Sequence, residues 1–330
     1  MRLLKPSAEQ AKSGLRVLRA IMLADPEVKE LTELQIRTLD AAQKFITNTQ
    51  FTLEELGASV EPEELAQQLI EPALRKQFAE AMVVVSTVNG APKAEQVALV
   101  RAYTKALQVD SSLVDALQKL ANQHRVLYAF DVVRHMYIGE TISKAWEKEK
   151  FKGIYKIVGG MKGFYQDAEL AKKYHELKEL PDGTLGKEFW RFYDEHQFIF
   201  PGEKYGTPVM MTYHDMAHVV GGYDTTPAGE LKVASFTAGF RNVGRPWILL
   251  FIISQFHLGV KTVPIDVPRM TGNFNPEEQF LALKRGSLMN IDLFDNWNYW
   301  EVMDQPLEQI RKAFNVLPQE KVLEIVQSEN

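Results

Sequence analysis

Apolar residues recur along this chain at helical rather than strand spacing. In EQVALVRAYTKAL, Val97, Val100, Tyr103 and Leu107 fall near the i, i+3, i+7 rhythm of one helix face, which predicts a helix over 94–107. Leu113, Leu117 and Leu120 continue the pattern, and Asp110, Ser111 and Ser112 ahead of them carry the short oxygen side chains that cap a helix start. Val88-Asn89-Gly90-Ala91-Pro92 reads as the turn before the first of these helices. Convincing period-two alternation is missing. Val263 to Pro268 is extended in character, but its prolines argue against a sheet interior. The expected fold class is all-α.

The longest apolar run, WILLFIISQFHLGV from Trp247 to Val260, is broken by Ser254, Gln255 and His257. A membrane-spanning helix needs roughly 20 apolar residues, so this run reads as a buried helix. Of the 330 residues, 45% are hydrophobic and 25% charged, which suits one large or two ordinary globular domains and excludes a disordered tail, a collagen or a polytopic membrane protein. With no cysteine, a disulfide scaffold, a thiolate metal site and a cysteine nucleophile are excluded. Thirty-eight basic against 43 acidic residues, net −5, lack the positive footprint that nucleic-acid binding requires. The first 21 residues place Arg2, Lys5, Lys12, Arg16 and Arg19 against a single Glu9. No secretory signal is read there. The bland reading is a first helix with a solvated basic face; a helix touching a membrane surface, or a transit peptide, has the same pattern.

Two helical domains are expected, 1–140 and 141–330. The first, with its helix ending at Asn89-Gly90 and its helix over 94–107 before Val109-Asp110, resembles the tellurite-resistance TerB-like helical domain. The charged stretch WEKEKFKG at 146–153 is the expected junction.

Chemistry concentrates in YHDMAHVVGGYDTTPAGE, residues 213–230. At about 100° per residue, His214, Asp215 and His218 fall within roughly a 100° arc of a helix. Two imidazoles and a carboxylate on one face suit zinc, or ferrous iron and its neighbours. Gly221-Gly222 ends that helix, and Thr226-Pro227 starts another that places Glu230 about one turn in. A tight turn between the two would bring Glu230 back toward the histidines. Histidines four apart also arise on helix faces as ordinary hydrogen-bonded side chains, so spacing alone leaves both readings open. Tyr223 and Asp224 read as turn and cap chemistry. The His-Asp pair also allows an HD-type phosphohydrolase site, which would need His196 or His175 together with Asp292 or Asp295.

The longer string, HDxxH followed by eleven residues and a glutamate, resembles the hallmark of the coenzyme Q (ubiquinone) biosynthesis protein four family. Leu180–Lys187 (LPDGTLGK), Thr225–Glu230 (TTPAGE), Lys284-Arg285-Gly286, Trp300 and Pro306–Arg311 (PLEQIR) resemble further pieces of it, so that the resemblance covers roughly 140–330. It implies a divalent metal, zinc ahead of iron or cobalt, held by His214, Asp215, His218 and Glu230, with His214 and Asp215 also catalytic and Asp215 alternatively a base. It implies oxidative decarboxylation at ring carbon 1 of a polyprenylated hydroxybenzoate. Partners would be that quinone precursor or another long-chain lipid, other quinone-biosynthesis proteins, a membrane surface and a second copy in a homodimer. The expected setting is cytoplasmic, peripheral on the inner membrane face. A groove for the prenyl tail would draw on Val209, Met210, Met211, Val219, Val220 and the helix from Trp247. The competing function is a non-catalytic prenyl-lipid-binding scaffold. The first 140 residues are the departure from the family pattern.

Overall fold

The computed structural model describes residues 3–136, 166–262, 270–295 and 297–328. Among these residues the chain is helical throughout; two isolated bridges, Thr184 with Pro306 and Leu258 with Thr271, are its only β pairings. The fold is all-α, as the spacing predicts. The extended stretch at 263–268 and the charged junction at 146–153 lie outside the described residues, as does Arg2.

The first half comprises α1 (Ala8–Leu23), α2 (Glu33–Ala42), α3 (Leu53–Leu56), α4 (Pro62–Gln68), α5 (Pro72–Val85), α6 (Ala94–Ala106), α7 (Ser112–Ala121) and α8 (Arg125–His135). Their starts are written locally. Ser7 with Gln10, Thr32 with Gln35 and Thr52 with Glu55 each form a reciprocal capping box. Helix α6 matches the predicted span to one residue, and Val97, Val100, Tyr103 and Leu107 are all buried. Ahead of α7 the cap contact comes from Asp110, which accepts from the Ser112 backbone N–H at 3.0 Å. Leu113, Leu117 and Leu120 face inward from it. The basic residues of α1 are not simply solvated. Arg16 Nε donates to the Leu56 carbonyl and Arg19 Nη1 to the Gly57 carbonyl at 2.7 Å, satisfying the end of α3.

The second half comprises α9 (Ala168–His175), α10 (Leu185–Glu195), α11 (Thr212–Gly221), α12 (Pro227–Phe240), α13 (Arg245–Phe256), α14 (Pro276–Ser287), α15 (Leu307–Ala313) and α16 (Gln319–Ser328). The apolar run is indeed a buried helix, α13. No described helix is long and apolar enough to cross a membrane.

The boundary near residue 140 does not separate two cores. Trp247, Leu250 and Val260 belong to the same buried cluster as Leu15, Ile21 and Val114. Val84 and Val88 share a second cluster with Leu231, Ile252 and Phe256. Polar ties cross as well: Tyr128 Oη to Ser254 Oγ at 2.6 Å, His257 Nε2 to the Val88 carbonyl at 2.7 Å, and Arg37 on Glu277 at 2.6 Å. The physical reason lies in α13. A helix that is apolar on all sides needs apolar neighbours on all sides, and helices from both halves supply them.

A third cluster, built from Tyr174, Phe189, Tyr193, Met216, Val220 and Leu307, lies in the second half alone and supports α11. Helices α12 and α14 cross at Gly239 and Gly286, where the two backbones approach closely: a Cβ on Gly286 would stand 2.0 Å from the Phe236 carbonyl oxygen. That crossing fixes α12, which carries Glu230.

Candidate metal centre

Helix α11 spans Thr212–Gly221 and ends as the Gly-Gly pair predicts. Gly222 adopts φ 70°, a left-handed value that suits glycine, and its N–H reaches the His218 carbonyl at 2.7 Å. The return turn is equally local. Asp224 accepts from the Thr226 N–H at 2.9 Å, Thr226 caps α12 by accepting from Gly229 N–H at 3.1 Å, and Pro227 occupies the first turn. Gly229 is required there, because a Cβ would stand 2.1 Å from the Asp224 carbonyl oxygen. This compact turn folds α12 back, and Glu230 faces the two histidines.

The three side chains form a triangle whose third corner is the Glu230 carboxylate, which turns one oxygen to each histidine. His214 Nε2 and His218 Nε2 are 3.1 Å apart, His214 Nε2 and Glu230 Oε2 3.2 Å, and His218 Nε2 and Glu230 Oε1 3.3 Å. One donor atom from each of the three, all within 4.8 Å of one another, makes a group compact enough for a single ion such as zinc to reach. The surroundings agree. His218 Nδ1 lies 3.1 Å from the Tyr223 carbonyl, a partner that leaves Nε2 facing the triangle. Its ring stacks on Phe192 at 5.5 Å. His214, His218 and Glu230 therefore form a group able to hold a metal ion.

Charge is tuned within the group. Burial would raise the Glu230 pKa, but hydrogen bonds and charge from His214 and His218 outweigh it and hold the carboxyl down at about 2. For His214 burial pulls downward, and Glu230 more than compensates, leaving the imidazole above its ordinary value. Each partner thus favours the charged form of the other.

Asp215 is not part of this triangle. The sequence expectation made it a fourth ligand; the structure turns it toward α10, where it accepts from Tyr193 Oη at 2.5 Å. The helix arithmetic already places it at the far edge of the arc. Buried there, its carboxyl is pushed above the ordinary aspartate value by desolvation, which outweighs His214 and Tyr193. The residues of the HD-type alternative are committed elsewhere: His175 pairs with Glu203 at 3.0 Å and Asp292 with Arg241 at 3.1 Å. His196 binds its own helix at the Phe192 carbonyl, and Asp295 joins no metal-ligating group among the described residues.

Several positioning residues carry no local sequence signal. Arg285 Nη1 donates to the Gly221 carbonyl at 2.5 Å, and Arg311 donates to the Val219 and Val220 carbonyls at 2.9 and 3.0 Å. Two guanidinium groups thus satisfy the carbonyl end of the ligand helix. At its other end, Thr212 Oγ1 meets Tyr299 Oη at 3.1 Å, and Tyr299 meets Tyr174 at 2.6 Å. Tyr223, read as turn chemistry, supplies its carbonyl to His218, and Asp224 is the turn residue expected.

No family model matches the chain, and no curated protein matches it significantly.

Proposed function

We propose that the chain is a metal-dependent enzyme of ubiquinone assembly, replacing the carboxyl group at ring carbon 1 of a polyprenylated hydroxybenzoate by a hydroxyl: the carboxyl leaves as carbon dioxide, water supplies the hydroxyl oxygen, and dioxygen takes up the two electrons and leaves as hydrogen peroxide. The observation that carries this reading is the His214–His218–Glu230 triangle, formed by the string that resembles the ubiquinone-biosynthesis motif. When bound, a divalent ion (zinc, or iron or cobalt) would polarise the carboxylate and phenolate oxygens of the ring or activate oxygen. Glu230 supplies an ionised oxygen, and His214 and His218 supply imidazole nitrogens. Phe192 and the Tyr223 carbonyl hold His218 in orientation. Asp215, next to His214 in the chain and held by Tyr193, acts as a proton-holding group rather than a ligand.

The prenylated substrate resides in a membrane, so the protein would work at the cytoplasmic membrane surface beside other quinone-biosynthesis proteins, as a peripheral homodimer. A second reading, a prenyl-lipid scaffold without turnover, is favoured by a large apolar cavity that no metal ligand lines.

The test is turnover. Protein loaded with each metal is incubated in air with a prenylated 4-hydroxybenzoate, and product is followed by mass spectrometry. Carbon dioxide release with gain of the hydroxyl, lost in the His214→Ala/His218→Ala double variant, supports the enzyme. Asp215→Asn should retain metal and lose most turnover. Bound lipid without turnover under any metal would reduce the protein to the scaffold.

A further inference from the structure

The end of α10 brings a further imidazole near the metal centre. His196 follows Phe192 by four residues, so the two leave the helix on one face, and their rings meet at 4.7 Å. Phe192 in turn stacks on His218 at 5.5 Å. One aromatic side chain therefore separates His196 from a member of the triangle.

The tautomer of His196 follows from its one partner. Its Nδ1 lies 2.7 Å from the Phe192 carbonyl, and a carbonyl oxygen can only accept, so Nδ1 carries the hydrogen. In the neutral ring Nε2 is then a bare acceptor. That atom has no hydrogen-bond partner among the described residues, and the side chain is only partly buried.

The turn that closes α10 is strained, and it shapes this corner. Gln197 holds φ 55°, the left-handed position that helix ends usually give to glycine. Gln197 N–H reaches the Asp194 carbonyl at 3.2 Å and Phe198 N–H the Tyr193 carbonyl at 2.9 Å, which turns the chain back on the helix. Phe198 is thereby laid against His196, the rings 5.4 Å apart and 29° from parallel. It remains 39% exposed. Left-handed backbone at a residue other than glycine gathers where ligands are held. Phe192, His196 and Phe198 make an aromatic wall with one unused acceptor in it.

We infer that His196 is a substrate-recognition residue: its Nε2 accepts a hydrogen bond from a ring hydroxyl of an aromatic acid whose carboxylate the metal holds, the ring lying against Phe192 and Phe198. This rests on the hydroxybenzoate reading of the metal centre, and it names the group that distinguishes a hydroxylated ring from a bare one.

Calorimetric binding of 4-hydroxybenzoate and benzoate to the zinc-loaded full chain tests it. The parent should bind the hydroxylated acid about fivefold more tightly, as one hydrogen bond at a partly exposed site provides. His196→Phe keeps an aromatic ring and removes the acceptor. It should hold its zinc and bind both acids equally, at the parent's affinity for benzoate. His196→Gln, whose amide oxygen accepts, should recover part of the preference. Phe198→Ala should weaken both acids alike. A parent that binds neither acid or does not distinguish them, or a preference that survives in zinc-replete His196→Phe, would overturn the assignment. Turnover separates this inference from the reading beneath it. Turnover of the prenylated acid with kcat/KM unchanged in His196→Phe would remove the inference and leave the enzyme. A preference lost with His196, in a protein without turnover under any metal, would do the reverse.

Discussion

Replacing Gly286 by alanine tests how α12, the helix that carries Glu230, is held. A Cβ at this position would stand 2.0 Å from the Phe236 carbonyl oxygen and 2.9 Å from its carbon. Ordinary contact begins at 3.4 Å, so the shortfall of 3.4 less 2.0 obliges α12 and α14 to part locally by about 1.4 Å. The obstructing atoms are backbone and have no rotamer to change. Overpacking of this kind costs about 1–3 kcal/mol, and a backbone clash belongs at about 3. Alanine gains about 1 kcal/mol over glycine in a helix. The net expectation is a loss of about 2 kcal/mol, roughly thirtyfold in the folding equilibrium.

The assay is urea unfolding of parent and variant in chelator, so that metal linkage does not mask the difference. Gly239→Ala, whose Cβ would meet the Leu283 carbonyl oxygen at 2.3 Å, should behave alike. Because α12 carries Glu230, both variants should also bind metal more weakly when folded. A Gly286→Ala protein as stable as the parent, or more stable, would refute the close crossing. The helix-propensity gain would then be the only term acting.

The double variant His214→Ala/His218→Ala should contain no metal by mass spectrometry, and Glu230→Ala should retain a weaker site; unchanged metal in the double variant would remove the triangle. Metal affinity should fall as pH drops below the raised pKa of His214, about tenfold per pH unit for each imidazole proton displaced. Glu230, held at about 2, adds nothing to that slope above pH 4 or so; calorimetric titrations across the acid range giving a flat profile would contradict it. A fragment of residues 1–136 should unfold broadly and bind hydrophobic dyes, since Trp247 and Leu250 no longer cover its core. A sharp, cooperative transition would show that the first half is self-sufficient.

What was legible in the sequence was local. The α6 and α7 stripes, the Gly-Gly stop, the Thr-Pro start and the return of Glu230 all follow from spacing and cap chemistry. The contacts of Asp215 were not legible, because its partner Tyr193 lies 22 residues away on another helix. Position on an arc says which way a side chain leaves the helix, but not what waits there. The shared core was hidden for a related reason. An all-apolar helix such as α13 announces burial and gives no hint of which neighbours bury it. One general signal was available for Arg285 and Arg311: a helix ending on Gly-Gly needs donors for its last carbonyls, though nothing in the sequence says which arginines supply them.

The segments that carried the family resemblance converge on the ligand helix. Leu180–Lys187 leads into α10, which delivers Phe192 to His218 and Tyr193 to Asp215. Its backbone is tied to the last of the segments: Leu185 N–H donates to the Gln305 carbonyl at 2.9 Å, and Leu307 N–H to the Gly183 carbonyl at 2.8 Å. That last segment carries Arg311 to the carbonyls of Val219 and Val220. Lys284–Gly286 supplies both Arg285, on the Gly221 carbonyl, and the glycine that lets α12 approach. Thr225–Glu230 is the turn and the third member of the His214–His218–Glu230 group. The contacts that satisfy the helix end also fix where His214, His218 and Glu230 stand. A metal site requires that fixity, because its three donors must be held close together before an ion arrives.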